Sequence, residues 1–200
     1  MPAFQKPPTV SDDYRAQDIY REAAQIIYAK GFDATSMGDI AEAVDLTKGG
    51  LYYYIKGKKA LLFAIMNFAM DLLEREVWEP AKREGDAEKR LAKLLSGHLQ
   101  LLIDDPSAMS ILAFEDERLD DEHRQKILQR KRAYYSFARD TIAEVLAARG
   151  IEDVDPTIAT NCMFGTTLFV VRWFRADGRL GKNEVIEQIT RLVLHGLNPV

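Results

Sequence analysis

Apolar residues recur every three to four positions in one stretch after another of this 200-residue chain, and that spacing constrains the fold more than any other feature. In YRAQDIYREAAQIIYAKG (14–31), Ala16, Ile19, Tyr20, Ala23, Ala24 and Ile27 make one helical stripe, and Gly31 supplies a C-terminal stop. ATSMGDIAEAV follows, with Ser36 and Asp39 at capping-box spacing and a short apolar face from Ile40, Ala43 and Val44. Asp45-Leu46 reads as a turn, after which Thr47 can cap a third helix through its hydroxyl. Leu51 and Ile55, four apart, bury together there and turn Lys48, Gly49, Tyr52 and Tyr53 outward. Gly57 ends that helix, and Lys58 opens a long apolar one to about residue 80. Three helices with a tight turn between the last two short ones have the spacing of a helix-turn-helix.

The rest of the chain keeps the helical period. An amphipathic helix is expected over 86–103, a segment from Pro106 to the acidic cluster at 114–123, a long helix over about 121–149, and a largely apolar one from Pro156 to about 176. ADGRLG (176–181) reads as a loop, and NEVIEQITRLVLHGL closes the chain with Ile186, Ile189, Val193 and Leu197 on one face. Nothing alternates as a strand does, so the fold class is all-α. Residues 1–57 form the expected helix-turn-helix domain, with 1–13 as a flexible arm, and 58–200 a second helical domain.

No apolar run approaches the roughly 18 residues that span a bilayer, and the N-terminus lacks a signal-peptide core. Cys162 is the only cysteine, so no intrachain disulfide can form; it is expected to be a small buried residue. Together these point to the cytoplasm. The acidic run at 115–122 with His123 reads as a solvated helix junction, and His98 and His195 as satisfied structural histidines. No nucleotide loop, nucleophile elbow or metalloprotease motif occurs, so an enzyme, a cofactor and a metal site are not expected.

Charge is unevenly spread. The formal net charge is -4, yet residues 1–62 hold eight basic and eight acidic side chains. Within TKGGLYYYIKGKK (47–59) there are four lysines, three consecutive tyrosines and no acid. Lys56, Lys58 and Lys59 crowd a helix N-terminus, where the macrodipole already favours anions. Such a cluster suits a docking phosphate. Gly49 and Gly50 each cost a helix roughly 1 kcal/mol against alanine, but they let a helix end approach DNA closely. Tyr52 and Tyr53 can donate to phosphates or pack on sugars and thymine methyls.

Residues 14–62, and above all AAQIIYAKGFDATSMGDIAEAVDLTKGGLYYYIKGKKALL, resemble the DNA-binding domain of TetR-type transcriptional regulators. The resemblance implies phosphate contacts by Ser36, Thr47, Tyr52, Tyr54 and Lys58, and base-edge or groove contacts by Lys48, Gly49 and Tyr53. The chain departs from the family pattern at Gly38 (often arginine), Tyr54 (commonly histidine), Ile55 (commonly phenylalanine) and Lys59 (usually an acid). The resemblance further implies C-terminal helices that dimerise and bind an effector, hence a homodimeric repressor on a near-palindromic operator in double-stranded DNA.

For the effector, Met109, Phe114, Tyr134, Phe137, Phe164, Leu168, Phe169 and Trp173 suit an adaptable apolar pocket, with Arg172 as a polar fixing point. FVVRWFRADGRL (169–180) is similar to a subgroup that senses acyl-CoA thioesters, so a small apolar or acyl-CoA-type effector is expected, its charge met by Arg139, Arg172 or Arg175. The stripe Ile186, Ile189, Val193 and Leu197 is expected to pack on a symmetry mate. The rival reading is a helical ligand-binding or scaffold protein without specific DNA binding.

Overall fold

Helices α1 (Val10–Lys30), α2 (Met37–Ala43) and α3 (Lys48–Tyr54) open the computed structural model, which describes residues 10–196. The first helix starts four residues before its expected position at 14; the rest of the expected arm and Leu197 lie outside the described residues. Gly31, at φ 86°, ends α1 in the left-handed region. Ser36 Oγ accepts from the Asp39 N–H at 3.1 Å while the Asp39 carboxylate accepts from the Ser36 N–H at 2.7 Å, a closed capping box on α2. Between α2 and α3 the chain turns through Asp45, at φ 52°.

Next comes α4 (Lys58–Leu73), which passes through a widened π-helical turn (Glu74–Trp78) into the short α5 (Glu79–Lys82). Pro80 has no N–H to give and its ring crowds the carbonyl four residues back. The ladder widens just ahead of it, and the Glu79 N–H donates to the Glu74 carbonyl, five residues back.

Then follow α6 (Ala87–Asp104), α7 (Pro106–Phe114), a 3-10 turn (Asp116–Arg118) and the long α8 (Asp121–Ala148). Asp86, Asp105 and Asp120 cap these helices by accepting backbone N–H groups. The acidic cluster is spent on such tasks: Asp120 caps, Asp116 meets Lys131 and Arg124, and Glu122 meets Lys126.

The apolar helix expected to run unbroken to about 176 is interrupted at Phe169. There α9 (Pro156–Leu168) gives way to one turn, α10 (Val170–Trp173). Thr160 and Thr167 donate back to the carbonyls of Pro156 and Met163, at 2.7 and 3.0 Å, a pattern that bends helices. The inner face of α9 runs through Thr160, Met163 and Thr167, which turns Cys162 outward. Cys162 is therefore exposed, contrary to the expectation from its residue type.

The last helix, α11 (Lys182–His195), lies on α6. Of the stripe expected to face a symmetry mate, Ile186 and Ile189 are buried within the chain beside Val185, and Val193 is half-buried. Two apolar cores result. One joins the first three helices to α4, α7 and the start of α8; the other lies between the starts of α6 and α9 and the far half of α8. No strand occurs among the described residues, and no helix there is long and apolar enough to cross a membrane.

Candidate functional site

Local rules build the first site. Thr47 Oγ1 accepts from the Gly50 N–H at 3.0 Å and starts α3; Leu51 and Ile55 then anchor that helix in the core. Lys48, Gly49, Tyr52 and Tyr53 are left facing out, Tyr53 at 82 % exposure. A β-carbon on Gly49 meets nothing within 4 Å, whereas one on Gly50 lies 3.2 Å from Thr47 Oγ1. Gly49 is thus small toward the outside and Gly50 toward its own cap. Tyr54 is half-buried, edge-on to Tyr53 with centroids 5.3 Å apart. The Ser36 and Thr47 hydroxyls accept from the backbone as caps and keep their own hydrogens for an outside acceptor.

At the start of α4 the cap residue is Gly57, at φ 117°, and no side chain covers the first N–H groups. Lys56 and Lys59 are exposed beside it. Lys58 is seated: its Nζ donates to the Asp33 carbonyl at 3.2 Å and lies 4.5 Å from the centre of the Phe32 ring.

Away from this surface, α4, α6, α7, α8 and α9 line a cavity of about 370 Å³ that opens to the outside. Met109, Tyr134, Phe164 and Leu168 line it, as expected from the sequence. Phe114, Phe169 and Arg172 instead border an adjoining cleft of about 260 Å³ that shares Leu168 with the cavity. Phe137 packs against the Trp78 ring, 6.0 Å between centroids, and Trp173 is exposed outside both spaces. Arg139 pairs with Asp140 at 2.7 Å, away from the lining, and Arg175 donates to the Phe174 carbonyl.

Sequence reasoning missed Met70, Leu73, His98, Lys131, Arg132 and Asn161, which also line the cavity. His98 is the notable omission. It is 4 % exposed, lies against Tyr134 with ring planes 26° apart, and meets Phe164 edge-on. Its Nδ1 is 3.3 Å from Tyr134 Oη, and its Nε2 is buried without a hydrogen-bond partner. Burial lowers the imidazole pKa from 6.5 to about 4 and pushes the Tyr134 phenol well above its ordinary value, so both are neutral at cellular pH. The expectation of a satisfied histidine is corrected at one of its two nitrogens. Of the two cations, Lys131 is fully engaged, donating to the Leu112 carbonyl at 3.0 Å and to Asp116 at 2.8 Å, whereas Arg132 is exposed.

A line of contacts joins the two sites. Leu112 and Ala113 wall the cavity, and their carbonyls face Lys131. Asp116 holds Lys131 and Arg124; burial opposes its charge, but the two cations keep its carboxyl below the ordinary 3.8. Two residues on, Arg118 pairs with Glu115 and with Asp33, its guanidinium 5.8 Å from the Phe32 ring that also carries Lys58.

Known proteins are similar to this chain in sequence and fold. Residues 19–65 match a family described as "Bacterial regulatory proteins, tetR family", and residues 84–197 match "Tetracyclin repressor-like, C-terminal domain". The crystal structure of AibR in complex with isovaleryl coenzyme A and operator DNA is 34% identical, covers 92% of this chain and 98% of its own, and superposes with a TM-score of 0.82. The fatty acid metabolism regulator protein of Bacillus subtilis is 24% identical over 182 residues, 90% of this chain and 94% of that one. The ketosteroid regulator KstR2 of Mycobacterium tuberculosis, at 21% identity and TM-score 0.83 over 99% of both chains, shares the fold.

Proposed function

We propose, from the premise that this chain belongs to the tetR family and is a ligand-responsive transcriptional repressor rather than an enzyme, that its effector is an acyl-CoA thioester. The acyl group occupies the cavity lined by Met109, Tyr134, Phe164 and Leu168. The observation that carries this reading is an apolar cavity with a cationic rim, in a chain similar over nearly its whole length to a regulator crystallised with an acyl-CoA. At about 370 Å³ the cavity is near the small end of ligand pockets, so it takes an acyl group while the coenzyme's nucleotide lies outside. Arg132 at the rim, or Arg172 in the cleft beyond Leu168, meets the anionic tail.

The protein works as a homodimer on double-stranded DNA. In our reading residues up to 57 form the DNA-binding domain, which acts in the cytoplasm on a near-palindromic operator. Ser36, Thr47, Tyr52, Tyr54 and Lys58 contact phosphates; Lys48, Gly49 and Tyr53 enter the groove. The dimer contact involves the outward face of the last helices, where Ile158, Phe169 (62 % exposed), Trp173 and Leu192 (71 % exposed) stand uncovered. Effector binding shifts α7 and the 116–118 turn, and Arg118, Asp33 and Phe32 carry that shift to the helix-turn-helix.

The test is release of the protein from its own upstream DNA, followed by fluorescence anisotropy. Medium-chain acyl-CoAs are expected to release it at lower concentration than their free acids, and hydrophobic cations not at all. Release by cations with acyl-CoAs inert reverses the reading.

A further inference from the structure

His98 is a buried polar side chain beside the apolar wall residues Met70, Leu73, Met109, Leu112, Phe164 and Leu168, whereas the lining's Lys131, Arg132, Tyr135 and Asn161 all reach toward solvent. A side chain there for packing alone does its work better without nitrogens, because a buried polar atom lacking a partner is destabilising. The proton inventory of the pair says which atom is lacking. Neutral His98 has one N–H, neutral Tyr134 has one O–H, and their single mutual contact is Oη to Nδ1 at 3.3 Å. If Tyr134 donates to Nδ1, the imidazole hydrogen sits on Nε2, and that one donor is unsatisfied. The other tautomer leaves two atoms unsatisfied, the Tyr134 hydrogen and the Nε2 lone pair. The first arrangement is favoured, and it presents a buried N–H with nothing to receive it.

A purely hydrocarbon ligand leaves that N–H as it is. We infer that the effector carries an oxygen acceptor inside the cavity, either the thioester carbonyl or an oxo group further along the acyl chain, and that His98 Nε2–H donates to it. His98 is then the residue that tells an oxygenated acyl group from a plain alkyl group of the same length, because an analogue without the oxygen keeps the donor orphaned. This rests on the acyl-thioester reading above.

Calorimetric titration of wild type, His98→Leu and His98→Gln tests it with three CoA derivatives of equal chain length: a saturated acyl-CoA, its S-alkyl thioether, and the 3-oxoacyl-CoA. Circular dichroism and retained operator binding identify variants that still fold. The wild type is expected to bind at least one oxygen-bearing member about tenfold more tightly than the member lacking that oxygen. Acyl-CoA over thioether assigns the thioester carbonyl, and 3-oxoacyl-CoA over acyl-CoA assigns the chain oxygen. The preference should vanish in His98→Leu and return in part in His98→Gln, whose amide N–H replaces the donor. A wild type that binds all three alike, or a His98→Leu variant that keeps the preference, overturns the inference while leaving the acyl-CoA reading intact. A wild type that binds none of them overturns both.

Discussion

The DNA-reading end and the effector cavity assemble their parts from different distances along the chain. At the reading end, the contacts that start and orient α2 and α3 join near neighbours, Ser36 with Asp39, Thr47 with Gly50 and Tyr53 with Tyr54, while Lys58 reaches back to the Asp33 carbonyl. The cavity gathers Met70, His98, Met109, Tyr134 and Phe164 from five helices, and the polar contact between His98 and Tyr134 within it joins residues 36 apart. The first kind of site is set by backbone geometry and is rigid as soon as its helices form. The second exists only once the whole domain has packed, which makes it sensitive to anything that changes packing. A repressor needs both: a surface of fixed shape, and a site whose occupancy is felt across the molecule.

The largest expected effect lies on the cavity side and is a pH dependence. The folded state holds the His98 pKa at about 4 against 6.5 for the free side chain, so the unfolded chain takes up this proton first. Stability from this source is intact above pH 6.5 and is lost as pH falls toward 4, by up to about 3 kcal/mol. Urea denaturation at pH 7.5 and 4.5 should show wild type losing more than His98→Leu. Equal losses in both remove the contrast, because the cavity's polar group would then be as indifferent to packing as a surface cap.

A middle-sized effect is expected on the line that joins the two regions. Arg118→Ala breaks the pair with Asp33 and the approach to Phe32 but touches neither the cavity wall nor α3. Acyl-CoA affinity without DNA and operator affinity without ligand should each change little. The ligand-induced loss of operator affinity should shrink by about 0.5–2 kcal/mol, roughly two- to thirtyfold. Unchanged coupling in anisotropy titrations moves the connection to α4, which lines the cavity with Met70 and Leu73 and begins at Lys58.

The smallest effect sharpens the reading end. Gly49→Ala adds a methyl that meets nothing in the protein, so the helix should gain up to about 1 kcal/mol in thermal or urea denaturation while operator affinity falls. A gain in both would mean that Gly49 does not face DNA.

The same contrast explains what was legible in the sequence. The capping box, the Thr47 cap and the Gly31 stop could be read because each depends on residues within four positions. The turn widened ahead of Pro80 and the interruption at Phe169 escape a reading by apolar period, because one follows from a proline inside an apolar helix and the other accompanies the back-donating Thr160 and Thr167 hydroxyls, and neither changes that period. Met109, Tyr134, Phe164 and Leu168 were found by residue type alone, and that criterion also drew in Phe137 and Trp173, which serve elsewhere. His98 escaped because its periodicity is that of any residue on a buried face; only the position of Tyr134, in another helix, distinguishes it.

Lys58 rests on a backbone carbonyl and an aromatic ring, both uncharged, and Lys48, Lys56 and Lys59 form no ion pair among the described residues. Cations on the body are held differently: Lys126, Arg130, Lys131 and Lys182 each face a carboxylate. These four body cations are therefore cancelled at close range, whereas the lysines of the reading end are left standing in a chain whose total is -4. Such a molecule has a permanent electric moment. Approaching a polyanion, it feels a torque before it feels net attraction, and it turns its lysines forward while the body is pushed back. Salt should therefore slow encounter by loosening this alignment, on top of any weakening of the contacts once they are made.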